Sequence, residues 1–208
     1  DFKGLTVPTH YVQAKNILIL GMGGSAIGGE LAAALAGATA TVPIEVRRDY
    51  GLPGYVGKDT LVIGVSYSGN TEETLDGFRQ AATRGAKLLA VSTGGEISSL
   101  ARKFQIPVLS IDYGSQPRAA LGYLFMAVMV ILAKLRHVEL TEREVTETAA
   151  LMRGLSSKLV PKVATSDNLA KQLAVKLKDR IPLIIGAGPM ATVAKRWKTQ
   201  FNENGKVA

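Results

Sequence analysis

Over the first two thirds of the chain, short runs of apolar and β-branched residues alternate with stretches whose apolar positions recur at helical spacing. The runs at 16–20, 43–47, 60–65, 87–92 and 107–111 predict strands, several apolar at nearly every position, as strands covered on both faces are. Helices are predicted between and after them at 25–35, 71–83, 97–104 and 118–135. Gly37 and Gly85 follow helical patterns where a glycine commonly ends a helix, and Pro117 precedes Arg118 as a first-turn proline would. This alternation predicts an α/β fold, a doubly wound parallel sheet.

The pattern changes near residue 140. Thr141 and Glu144 have the spacing of a capping box, and helix is predicted from there to about 178. An apolar strand is then predicted at 182–186, followed by a glycine turn and a helix at 192–200. The run 183–191 repeats the plan of the run 17–26: strand, glycine turn, helix start. The expected organisation is one unit over 1–140, then linker helices and the incomplete first part of a second, similar unit over 141–208.

Composition narrows the chemistry. The 208 residues are 47% hydrophobic and 20% charged, an ordinary globular balance. With no cysteine, disulfides, a thiol nucleophile and cysteine-ligated zinc are excluded. With only His10 and His137 as histidines, no metal site is expected. The longest uncharged stretch, 119–133, has 15 residues, too short to span a bilayer. No secretory pattern opens the sequence, so a cytoplasmic location and no membrane partner are expected. The net charge of +8 comes from scattered lysines and arginines rather than one basic stripe, so no nucleic-acid partner is expected.

Both glycine turns fit G-x-G-x-x-A, a loose form of the dinucleotide fingerprint, in which backbone amides at a helix N-terminus approach a phosphate. The acidic residue such a site wants after the second strand is late and preceded by Arg47 and Arg48, so only an NADP-type 2′-phosphate would fit. Close packing of strand on helix explains the same glycines. A more specific feature follows the third strand: Ser66-Tyr67-Ser68-Gly69-Asn70-Thr71-Glu72-Glu73-Thr74. Several hydroxyls and the free N–H groups of a first helical turn would share one small volume, a cup suited to a phosphate monoester. The plainer reading is a helix cap, which needs only one of these side chains. Gly24 and Ser25, after the first strand, would face that cup across the crevice where strand order reverses. Arg118 in a helical first turn opposes the dipole and asks for an anion, or else for a nearby carboxylate. Glu203, among the amides of Gln200-Phe201-Asn202-Glu203-Asn204, is anonymous by chemistry alone.

Taken together, Gly21-Met22-Gly23-Gly24-Ser25-Ala26, the 66–74 motif and Lys198-Thr199-Gln200-Phe201-Asn202-Glu203-Asn204 resemble the bifunctional phosphoglucose/phosphomannose isomerases, of the sugar-isomerase (SIS) fold. The resemblance implies two flavodoxin-like SIS domains, a homodimer, no cofactor or metal, and interconversion of fructose 6-phosphate with glucose 6-phosphate and mannose 6-phosphate. It further implies that Gly24, Ser25, Ser66, Ser68 and Thr71 bind the phosphate, that Arg118 lies beside a cis-enediolate, and that Glu203 is the base. The family pattern continues with a histidine and, much later, a lysine that assist ring opening; His10 and His137 do not match that histidine. A non-catalytic SIS module that binds a sugar phosphate, and an NADP-binding protein, are the alternatives.

Overall fold

The computed structural model describes residues 5–206. Five strands, β1 (Asn16–Leu20), β2 (Ile44–Arg47), β3 (Thr60–Val65), β4 (Lys87–Ser92) and β5 (Val108–Ser110), form one sheet in the order β2-β1-β3-β4-β5. All four pairings are parallel. The helices of this part are α1 (Gly23–Ala36), α2 (Glu72–Thr83), α3 (Gly95–Lys103) and α4 (Leu121–Lys134).

Alternate residues of the central strands feed two cores. Ile17, Ile19, Leu61, Ile63, Leu89 and Val91 pack with Ala32 and Ala36 of α1 and with Leu124, Val128 and Ile131 of α4. Leu18, Leu20, Val62, Leu88 and Ala90 pack with Leu75 and Phe78 of α2 and Ile97 of α3 on the other face. Burial on both faces is why β3 is buried at all six positions, and why periodicity marks it as a continuous apolar run.

The remaining chain is different in kind. Helices α5 (Glu142–Leu159), α6 (Leu169–Leu177) and α7 (Met190–Gly205) contain no buried residue. The predicted capping box is present: Thr141 accepts from the Glu144 amide, and the Glu144 carboxylate accepts from the Thr141 amide.

Three expectations are corrected. No strand forms at 182–186 among the described residues. Ile181, Leu183 and Ile185 stand 84–86% exposed in an irregular segment, because nothing there offers a ladder to join. The predicted helix at 118–135 is broken: Pro117–Ala119 is a separate 3-10 turn, and α4 starts at Leu121. Gly37 ends α1 in the right-handed region (φ −56°), whereas Gly85 takes the left-handed conformation expected of a terminal glycine (φ 70°).

Candidate functional site

The sheet order turns back between β1 and β3, so α1 leaves toward one face and α2 toward the other, opening a crevice at the carboxyl ends of these strands. The 66–71 turn fills one side of it. Ser66 is fully buried; its hydroxyl accepts from the Gly69 amide at 3.0 Å and bonds the Thr71 hydroxyl at 2.9 Å. Ser68 is exposed and accepts from the Asn70 amide at 3.2 Å.

Thr71 occupies the N-cap position of α2, yet no side chain caps that helix. The Thr71 hydroxyl is turned to Ser66 instead, and the Asn70 side chain serves α3 by accepting from the Glu96 amide at 2.9 Å. The cap-only reading is therefore corrected. α2 begins with the dipole's positive end open toward the serine turn.

On the other side of the crevice, α1 also begins without a side-chain cap, from Met22. Ser25 in its first turn is buried, and its hydroxyl accepts from the Tyr67 amide at 3.2 Å, so the two loops touch directly. Gly24 is needed for space: a Cβ there would lie 2.9 Å from the Pro117 carbonyl oxygen. The first turn of α1 thus rests on the 3-10 turn that carries Arg118.

The last component arrives from the far end of the sequence. Arg118 Nη1 lies 3.3 Å from Glu203 Oε1, both side chains being partly exposed. The carboxylate that the plainer reading of Arg118 called for is thus Glu203 itself. Helix α7 is docked by two further bonds. Arg196 Nη2 donates to the Arg118 carbonyl at 2.6 Å, and Lys195 Nζ donates to Glu30 of α1 at 2.8 Å. Glu30 also accepts from Arg48 at 2.5 Å. Burial raises the Glu30 carboxyl, but these two cations outweigh it and hold the group below its ordinary value. Burial lowers the Arg196 guanidinium, and the Glu203 charge opposes that shift.

The seven sequence-derived positions therefore form one connected region: Gly24 and Ser25, then Ser66, Ser68 and Thr71, then Arg118 and Glu203. Sequence reasoning missed the loop after β4. Thr93 donates to the Tyr67 carbonyl from its amide (3.1 Å) and its hydroxyl (2.7 Å), and Gly94 packs against Gly69. The signal was the glycine pair Gly94-Gly95 after a strand. Arg47 and Arg48, the cations a 2′-phosphate would need, are committed elsewhere: Arg47 donates to the Gly51 and Tyr50 carbonyls and Arg48 to Glu30. Among the described residues no cluster of three or more His, Asp or Glu could hold a metal ion, and no helix is long and apolar enough to cross a membrane.

Fold and site define a doubly wound α/β domain whose serine turn and uncapped helix starts lie at its topological switch point. Residues 10–137 match the SIS domain, and the chain belongs to the SIS family. Residues 166–208 match the bacterial phospho-glucose isomerase C-terminal SIS domain. The chain is 41% identical to a bifunctional phosphoglucose/phosphomannose isomerase of Caldicellulosiruptor bescii, over 98% of this chain and 60% of that protein. It is 38% identical to the protein of the same name from Thermoplasma acidophilum, over 92% of this chain and 56% of that one. The chain thus spans somewhat more than half the length of these relatives. Among solved structures, the C-terminal domain of glucosamine-fructose-6-phosphate aminotransferase from Francisella tularensis shares the fold, with a TM-score of 0.64 and 18% identity over 94% of this chain and 57% of that one.

Proposed function

We propose that the full-length protein carrying this chain is an aldose-ketose isomerase that interconverts fructose 6-phosphate with glucose 6-phosphate and mannose 6-phosphate. The observation that carries the proposal is the approach of Glu203 to Arg118 beside the uncapped starts of α1 and α2. A carboxylate base, a fixed cation and a phosphate cup are the three things this chemistry requires.

In the proposed reaction, Gly24, Ser25, Ser66, Ser68 and Thr71 hold the phosphate of the open-chain sugar. Glu203 removes the C1 proton of the ketose, and the electron pair moves to give a cis-enediolate whose negative charge faces the Arg118 guanidinium. Glu203 then returns its proton to C2 while the C1 hydroxyl proton passes to the C2 oxygen, leaving the carbonyl at C1. Return to one face gives glucose 6-phosphate and return to the other gives mannose 6-phosphate, so one enediolate serves both products. A cytoplasmic homodimer divided near residue 140 into two SIS domains belongs to the same proposal. The exposed apolar residues Leu151, Met152, Leu155 and Leu159 on α5 support an interface there.

The test is a coupled assay for both aldose phosphates with saturating fructose 6-phosphate. Glu203→Gln is expected to lower kcat by about 10²- to 10⁴-fold with KM little changed, the range for losing a general base. A full-length protein that binds fructose 6-phosphate but forms neither product would refute the isomerase reading and leave a sugar-phosphate-binding module.

A further inference from the structure

We infer that Tyr67 is a positioning residue that couples occupancy of the serine turn to the placement of Arg118. Its backbone and side chain together hold three segments. The Tyr67 amide donates to Ser25 in α1, and its carbonyl accepts from Thr93 in the loop after β4. The phenol reaches a third segment: it donates to the Tyr113 carbonyl and accepts from the Ser115 amide at 2.9 Å.

That third segment leads directly into the turn bearing Arg118. Asp112, Gly114, Ser115, Gln116 and Pro117 are all exposed, while Tyr113 packs on the core and stacks on Tyr123 with ring centroids 4.4 Å apart, so the Tyr67 phenol is a polar anchor beside that apolar one. The Tyr67 ring is 8% exposed and belongs to the core, a place phenylalanine would fill equally well. What the hydroxyl adds is a donor and an acceptor bond, both directed to 113–115. Ser66 and Ser68 flank Tyr67, so an anion held by those serines would fix the tyrosine backbone. The stiff ring, with two rotatable bonds, would carry that order to the arginine segment.

This inference rests on the proposed phosphate cup, and its tests separate the two. In the full-length protein, inorganic phosphate is expected to slow amide hydrogen exchange at 66–72 and also at 113–118. In Tyr67→Phe the slowing is expected to stop at 66–72. In the isomerase assay, Tyr67→Phe is expected to keep KM within about twofold while kcat falls about tenfold or more, as a misplaced electrostatic group would cause. Protection of 66–72 without 113–118 in the unsubstituted protein would overturn the inference and leave the cup standing. Loss of protection at both would overturn cup and inference together. A Tyr67→Phe enzyme with unchanged kcat would also overturn it. The exchange measurement on the unsubstituted protein decides the matter even if the variant folds poorly or turnover is absent.

Discussion

Gly69→Ala tests how the serine turn is built. Gly69 has φ 74°, and an added Cβ would fall 1.9 Å from the Gly94 carbonyl oxygen and 2.7 Å from its carbon. Both are backbone atoms, so no side chain can rotate away; the 66–71 turn and the 93–95 loop must part. Parting them breaks the bonds from the Ile97 amide to Gly69 O and from the Glu96 amide to Asn70 Oδ1, each 2.9 Å, which join the turn to the start of α3. The left-handed backbone costs an alanine about 1–2 kcal/mol. The two bonds contribute about 1 kcal/mol each, and relieving the overlap costs about 1–3 kcal/mol. The expected loss is about 4–7 kcal/mol, a large share of the roughly 5–15 kcal/mol that holds a domain folded. Gly23→Ala is the matched control. Gly23 also has positive φ (49°) but open space around its Cβ position, so only the conformational cost of about 1–2 kcal/mol applies. Urea unfolding followed by far-ultraviolet circular dichroism would measure both. If Gly69→Ala loses no more stability than Gly23→Ala, the close packing of the two loops is wrong.

Two further perturbations probe other parts of the fold. Burial lowers the His137 imidazole from its ordinary value near 6.5, and its Nε2 has no partner while Nδ1 meets the Thr41 hydroxyl at 2.8 Å. Its contribution to stability is thus fully present above the unfolded value and is lost as pH falls from there through the lowered folded value. The melting temperature is expected to drop more steeply between pH 7 and pH 5 in the unsubstituted protein than in His137→Gln; parallel curves would refute this. Thr141→Ala removes the side-chain half of the α5 capping box and should cost about 1 kcal/mol. Because α5 buries nothing, that loss should show as faster amide exchange in its first turn while exchange in β3 stays unchanged.

The parts of the molecule legible in the sequence share one physical cause. A strand buried on both faces must be apolar at almost every position, so β1, β3 and β4 stand out to the residue. The shorter edge strands β2 and β5 are read one or two residues too long, since half-exposure blurs their ends. The run 182–186 has the composition of a strand, but a strand exists only through its neighbours, and none stands beside it among the described residues.

The site follows the same division. Hydroxyl density after β3 marks the serine turn because too many donors converge for a cap, and none of the side chains there caps α2. Glu203 carries no such local signal. Its placement depends on Arg196 and Lys195, which face Arg118 and Glu30 across 78 and 165 positions of sequence. Contacts of that range leave no periodicity or spacing behind, so only resemblance to a family could single out this glutamate. The ion pair with Arg118 links the two kinds of residue. A cation that sequence alone leaves between an anion and a carboxylate partner has the carboxylate in hand at 3.3 Å, and the turn that bears it packs on Gly24 at the start of α1. In the proposed reaction, a substrate seated between them would part Arg118 from Glu203, freeing the proposed base and cation at the moment both are needed.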